Sequence, residues 1–114
     1  MKLVLKSIKS DTHDDFKEWT PDDPSNVYEW LTVTIGVEGT EEGGEFKTLI
    51  ATKDGYTKNH DDKNEFKGFV IQAYAAQAVE MVIKQFIRTL FAMDWEQAVE
   101  DLEEHFIPIE KFEK

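Results

Sequence analysis

The chain has 114 residues, a hydrophobic content of 40% and a formal net charge of −11. That length supports one domain over residues 1–114 with a single core, and that charge disfavours nucleic acid and anionic membranes, whose recognition requires Lys and Arg. Cysteine is absent, which removes disulfides, thiolate metal sites and a cysteine nucleophile together.

Residues 2–9 (KLVLKSIK) predict a short strand with lysines at its margins. Lysine suits a sheet edge, where it discourages pairing with another chain. No apolar run here is long enough for a signal peptide, and none later approaches a membrane span. The expected location is therefore the cytoplasm. Residues 10–26 predict a loop whose length implies a task or internal anchors. Phe16 and Trp19 are the expected anchors, and Pro21 and Pro24 sit in turn-forming contexts.

Residues 27–37 (VYEWLTVTIGV) alternate with period two, the pattern of a strand with two different faces. Leu31, Val33, Ile35 and Val37 form an aliphatic face that predicts a core. Tyr28, Trp30, Thr32 and Thr34 form the other, which is expected to meet water, a neighbouring chain or a partner. Ordinary cross-strand packing of amphipathic aromatics is an equal expectation for that face. Gly43-Gly44 predicts the turn of a hairpin returning through residues 46–52. Residues 53–67 predict a polar loop with one helical turn, and residues 69–74 (FVIQAY) a fourth strand.

Residues 75–91 carry the clearest helical pattern. Val79, Val82, Ile83, Phe86 and Leu90 form a core-facing stripe, and Ala78, Met81, Ile87 and Phe91 widen it. Asp94 with Gln97 predicts the capped start of a second helix, whose outer face (Glu96, Glu100, Asp101, Glu103, Glu104) is acidic and which Pro108 stops. Residues 107–112 then predict a terminal strand or a docked tail. The expected fold is α+β: a mostly antiparallel sheet of about four strands, in an order left open, with the two C-terminal helices packed on one face.

The carboxylates are segregated. Asp14, Asp15, Glu18, Asp22 and Asp23 crowd the first loop, and Glu38, Glu41 and Glu42 follow the central strand. A solvated face accounts for many such distributions; a surface aimed at a basic partner is the sharper reading. His13, His60 and His105 share no motif. The two His-Asp-Asp stretches lack metal-ligand spacing. Residues 54–65 fail as a calcium loop, because Tyr56 and Lys58 stand where oxygen ligands are needed and Asn59 where glycine is. Nucleophile-elbow, Walker and Rossmann patterns are missing. No catalytic residue, metal site or cofactor is predicted, and the chain does not read as an enzyme.

Trp19-Thr20-Pro21-Asp22-Asp23-Pro24, Trp30-Leu31, Thr34-Ile35-Gly36 and Glu41-Glu42-Gly43-Gly44-Glu45-Phe46 together point to a family. With the polar middle, the long helix and Trp95 opening an acidic helix, the chain resembles the immunity protein 8 family of bacterial polymorphic toxin systems. Residues 53–67 depart from it by their Asp and Asn content. The resemblance implies a small α+β protein that binds the effector domain of a cognate toxin and neutralises it. It carries no catalytic residues to transfer. On the residues themselves, the expected partner-binding set is Asp14, Asp15, Glu18, Asp22, Asp23, Tyr28, Trp30, Glu38, Glu41 and Glu42. Against a nuclease-type toxin with a basic cleft, such a set acts as a substrate mimic. The alternative is an acidic self-associating or adaptor domain, with Tyr28 and Trp30 at a homodimer interface.

Overall fold

The alternating segment forms strand β2 (Tyr28–Val37), flanked by β1 (Leu3–Ser10) and β3 (Gly43–Thr52), both antiparallel to it. The structure, a computed structural model, describes residues 1–61 and 65–112. Register sets Val33 opposite Phe46 and Leu31 opposite Thr48, so these side chains share one face of the sheet. Helices α2 (Ala76–Thr89) and α3 (Trp95–Leu102) cover that face. Leu31, Val33, Ile35, Phe46, Val79, Ile83, Leu102 and Phe106 are all buried in one cluster. Each such side chain contributes about 1.5–3 kcal/mol by leaving water. The α+β class, with both C-terminal helices on one face, is as the sequence predicts.

The strand order is β1-β2-β3-β4. β4 (Gly68–Ile71) runs parallel to β3, pairing Leu49 with Gly68 and Thr52 with Ile71. β5 (Ile107–Pro108) takes the same edge of β3 lower down, antiparallel, at Phe46 and Lys47. Among the described residues the sheet is thus five-stranded and mixed, with β1 at one edge and β4 and β5 at the other, and the lysines at the margins of β1 suit its edge position.

Three local expectations are corrected. The hairpin turn is not at Gly43-Gly44, because both glycines already belong to β3 and Gly43 faces Gly36 across the ladder. A Cβ at Gly43 would sit 2.7 Å from the Ile35 carbonyl, so this glycine serves close strand approach. The turn itself uses Gly39, whose φ of 79° is left-handed, closed by Val37 N–H donating to Glu42 O at 3.0 Å. The fourth strand stops at Ile71 because β3 ends at its partner, Thr52; Tyr74 instead turns inward and donates its N–H to Pro24 O at 2.8 Å. The stretch after β3 is more helical than expected: α1 (Lys53–Asn59) is capped by the Thr52 hydroxyl, which accepts from Gly55 N–H at 3.3 Å. Within the same stretch, residues 62–64 lie outside the described residues, as do residues 113–114.

The C-terminal helices keep their predicted starts. Asp94 Oδ1 accepts from Gln97 N–H at 2.9 Å, and Gln97 Oε1 accepts from Met93 N–H at 3.1 Å, a reciprocal cap. The widened stripe is only partly buried. Ile87 is buried, but Met81 is 58% and Phe91 80% exposed, and α2 ends before Phe91. The tail is both things expected of it, a two-residue strand followed by a 3-10 turn (Ile109–Lys111) that docks on the sheet.

Candidate partner-binding surface

Thr52, fully buried at the end of β3, organises the region where the acidic loop returns to the sheet. Its hydroxyl donates to Ser25 O at 2.6 Å and accepts from Val27 N–H at 2.9 Å, besides capping α1. The loop before it is ordered by the residues expected to anchor it. Phe16 is buried in the core. Trp19 packs edge-on against Tyr74, with centroids 4.8 Å apart, and stacks on His13 at 4.0 Å. His13 Nε2 lies 3.4 Å from Glu29 Oε1, and Thr12 Oγ1 donates to Glu29 Oε2 at 2.9 Å.

Two of the loop carboxylates hold its turns. Asp15 Oδ1 accepts from Lys17 N–H at 3.0 Å. Asp23 Oδ1 accepts from Ser25 Oγ at 2.7 Å and from Ser25 N–H at 3.0 Å, and these bonds hold its carboxyl below the usual carboxylate range. Asp14, Glu18 and Asp22 are exposed and make no such bonds among the described residues. Every one of these acids stands on a surface whose shape the Trp19 and Phe16 anchors set.

The surface continues onto the second face of β2. Asp22, Asp23 and Tyr28 line one groove with His13, Trp19 and Glu29. Asp14, Asp15 and Glu18 line a depression that shares His13 and Trp19 with it. Tyr28 also borders a further groove with Trp30, Leu49, His60 and Asp61. Burial raises the Tyr28 hydroxyl above its ordinary pKa, with Tyr56 adding to the shift, and burial raises Tyr74 to about 12, with Glu29 adding. Both phenols therefore stay protonated donors at neutral pH. Trp30 is half-buried: Phe112 from the tail packs edge-on against it at 4.9 Å. Beside it, Lys47 Nζ reaches Asp11 Oδ2 and Thr32 Oγ1, each at 2.7 Å, and lies 5.3 Å from the Phe112 ring centre.

Asp14, Asp15, Glu18, Asp22, Asp23, Tyr28 and Trp30 therefore share one continuous surface. Glu38, Glu41 and Glu42 do not join it. They lie on the hairpin at the far end of β2, whose ten residues span roughly 30 Å at about 3.3 Å per residue. Glu29 and the Lys47–Asp11 pair belong to the surface and were not anticipated. Glu29 had a readable signal, a charge in the core-facing phase of β2. Lys47 had none, since its burial depends on the tail folding over it.

The histidines serve packing. His60 stacks on Tyr56 at 4.4 Å, and His105 stacks on Phe69 at 4.6 Å while its Nδ1 lies 2.8 Å from Gly68 O. That distance assigns the Nδ1–H tautomer to His105, because a carbonyl only accepts. Of the second His-Asp-Asp stretch, Asp62 lies outside the described residues. Among the described residues no helix is long and apolar enough to cross a membrane.

The family described as immunity protein 8 matches the chain over residues 3–107. No curated protein and no solved structure matches it. The match spans the sheet, all three helices and the start of β5. The chain belongs to the immunity protein 8 family, and membership implies binding and neutralising a toxin protein.

Proposed function

We propose that this member of the immunity protein 8 family neutralises the effector domain of a cognate polymorphic toxin of the nuclease type, in the cytoplasm of the bacterium that produces both. Family membership carries the neutralising role. The continuous surface from Asp14 to Trp30 supports the choice of partner. An effector that acts on nucleic acid holds a basic cleft, and an ordered acidic surface enters such a cleft as a substrate mimic. Charge of this kind steers encounter and makes it salt-sensitive. Tyr28, which among the described residues carries no aromatic cover comparable to Phe112 on Trp30, supplies the larger desolvated anchor. Self-association through that face is the alternative, and sedimentation at micromolar concentration separates the two.

Calorimetry against the toxin domain encoded beside this gene, at low and high salt and with a growth-rescue assay, tests the reading. Nanomolar affinity that weakens steeply with salt, together with rescue, is expected. Absence of both binding and rescue removes the immunity role for that toxin. Tight binding that is flat in salt removes the mimic and moves the contact to the aromatic face.

A further inference from the structure

β1 pairs with β2 on one side only, and an edge strand leaves alternate backbone N–H and C=O groups unpaired. Two grooves lie end to end along that edge. The first, of about 520 Å³, runs between Leu3 and Leu5 of β1 and Ile87, Arg88 and Leu90 at the end of α2. The second continues from Leu5 to Ile8, beneath Phe16 and Lys17. Their floor is aliphatic and their rim is mostly cationic: Lys2, Lys84 and Arg88 border the first, and Lys6, Lys17 and Glu80 the second. In a chain of net charge −11, this edge carries the opposite sign from the loop surface. Lys84 has Glu80 at 2.8 Å and Lys2 has Glu38 at 4.0 Å, but no carboxylate among the described residues pairs with Arg88. At the open end the Met1 ammonium lies 3.5 Å from Ala92 O, which places it beside Phe91, 80% exposed, and Met93, 78% exposed. Aromatic, Met and Arg side chains are the types enriched in protein interfaces.

We propose that the β1 edge docks an extended acidic segment of a partner protein, which joins the sheet as a further strand. Its alternate side chains enter the groove over Leu3, Leu5 and Ile87, and its carboxylates meet Arg88, Lys84 and Lys2. Main-chain bonds give such a complex its affinity, and the groove and rim give it selectivity. A second copy of this chain is a poor occupant, because β1 against β1 brings together two strands that each carry Lys2, Lys6 and Lys9. The lysines that discourage indiscriminate pairing are the ones that admit an anionic strand. The site does not depend on the toxin's identity, and it meets the acidic loop at Phe16 and Lys17.

The test titrates the full chain with a synthetic peptide alternating Glu with Val or Leu, using the matching Lys peptide as control. Amide NMR and amide exchange provide the readout. The Glu peptide is expected to slow exchange at outward-facing β1 amides and to lose affinity with salt, while the Lys peptide leaves β1 unchanged. Arg88→Glu, at an exposed position without an ion pair, is expected to weaken the Glu peptide by about tenfold without altering the rest of the spectrum. Equal binding of both peptides, unchanged β1 exchange, or full affinity in Arg88→Glu would overturn the proposal. So would a dimer in sedimentation that already protects β1.

Discussion

The two ends of β2 both carry carboxylates, and they hold them in opposite ways. At the Tyr28 end the acids ride on a loop pinned to the main core: Phe16 is buried in it, Trp19 is clasped between His13 and Tyr74, and Thr52 ties the return strand in place. At the Val37 end, Glu38, Glu41 and Glu42 are exposed on a short turn held by its own backbone bonds and Thr40. Exposed carboxylates stand at both places. The first presents them on a loop anchored by a buried Phe16 and beside the half-buried Tyr28 and Trp30, which is what a short-range contact needs.

The largest effect should come from removing the anchor of the ordered end. Phe16→Ala is expected to cost about 3–5 kcal/mol in chemical denaturation, the range for a buried phenylalanine, and to speed amide exchange across residues 11–26. A loss under 1 kcal/mol would mean that the loop is not built on this side chain. Reversing Asp22 and Asp23 together to Lys should weaken toxin binding by about ten- to a hundredfold at low salt, through faster dissociation as well as slower association. Reversing Glu41 and Glu42 should slow association only a few-fold and leave dissociation unchanged. Equal effects from the two pairs would erase the distinction between the ends.

Asp11→Ala probes how the ordered end is joined to the sheet. It leaves Lys47, whose side chain is only 9% exposed, with Thr32 as its remaining hydrogen-bond partner. A loss of about 1–3 kcal/mol is expected, and Lys47→Met in the same background should recover part of it. The smallest effect concerns Asp23. Its folded pKa lies below the ordinary 3.8, so its charge contributes stability above that value, and the contribution disappears as pH falls through the folded pKa. Asp23→Asn should therefore be slightly less stable than the parent at neutral pH, with the gap closing in acid. A gap that widens below pH 3.8 would contradict the Ser25 bonds as its source.

Much of this architecture was readable because it is periodic. The two faces of β2, the stripe of α2 and the Asp94–Gln97 cap each follow from spacing within one segment. What was not readable depends on pairings between distant segments. The parallel β3–β4 ladder leaves no local signature, and β4 ends at Ile71 only because β3 ends at Thr52. Thr52 reads as the last residue of a strand, and nothing in its neighbours announces that it also caps α1. Of the binding surface, the acids and Tyr28 were visible as types; that the hairpin acids stand apart was not, since distance along β2 becomes separation only once the strand is straight. The cover of Phe112 over Trp30 is likewise a tertiary event.

The tryptophans mark these same places in a form that light can read. Trp19 stacks on an imidazole in the acidic loop, Trp30 meets Phe112 on the opposite sheet face, and Trp95 lies edge-on to Phe46 near the hairpin end. Each indole packs against a ring from a different part of the chain. Variants that keep one Trp at a time would turn the molecule into a set of site-specific optical probes, and the emission that shifts on complex formation would name the end of the sheet the partner occupies.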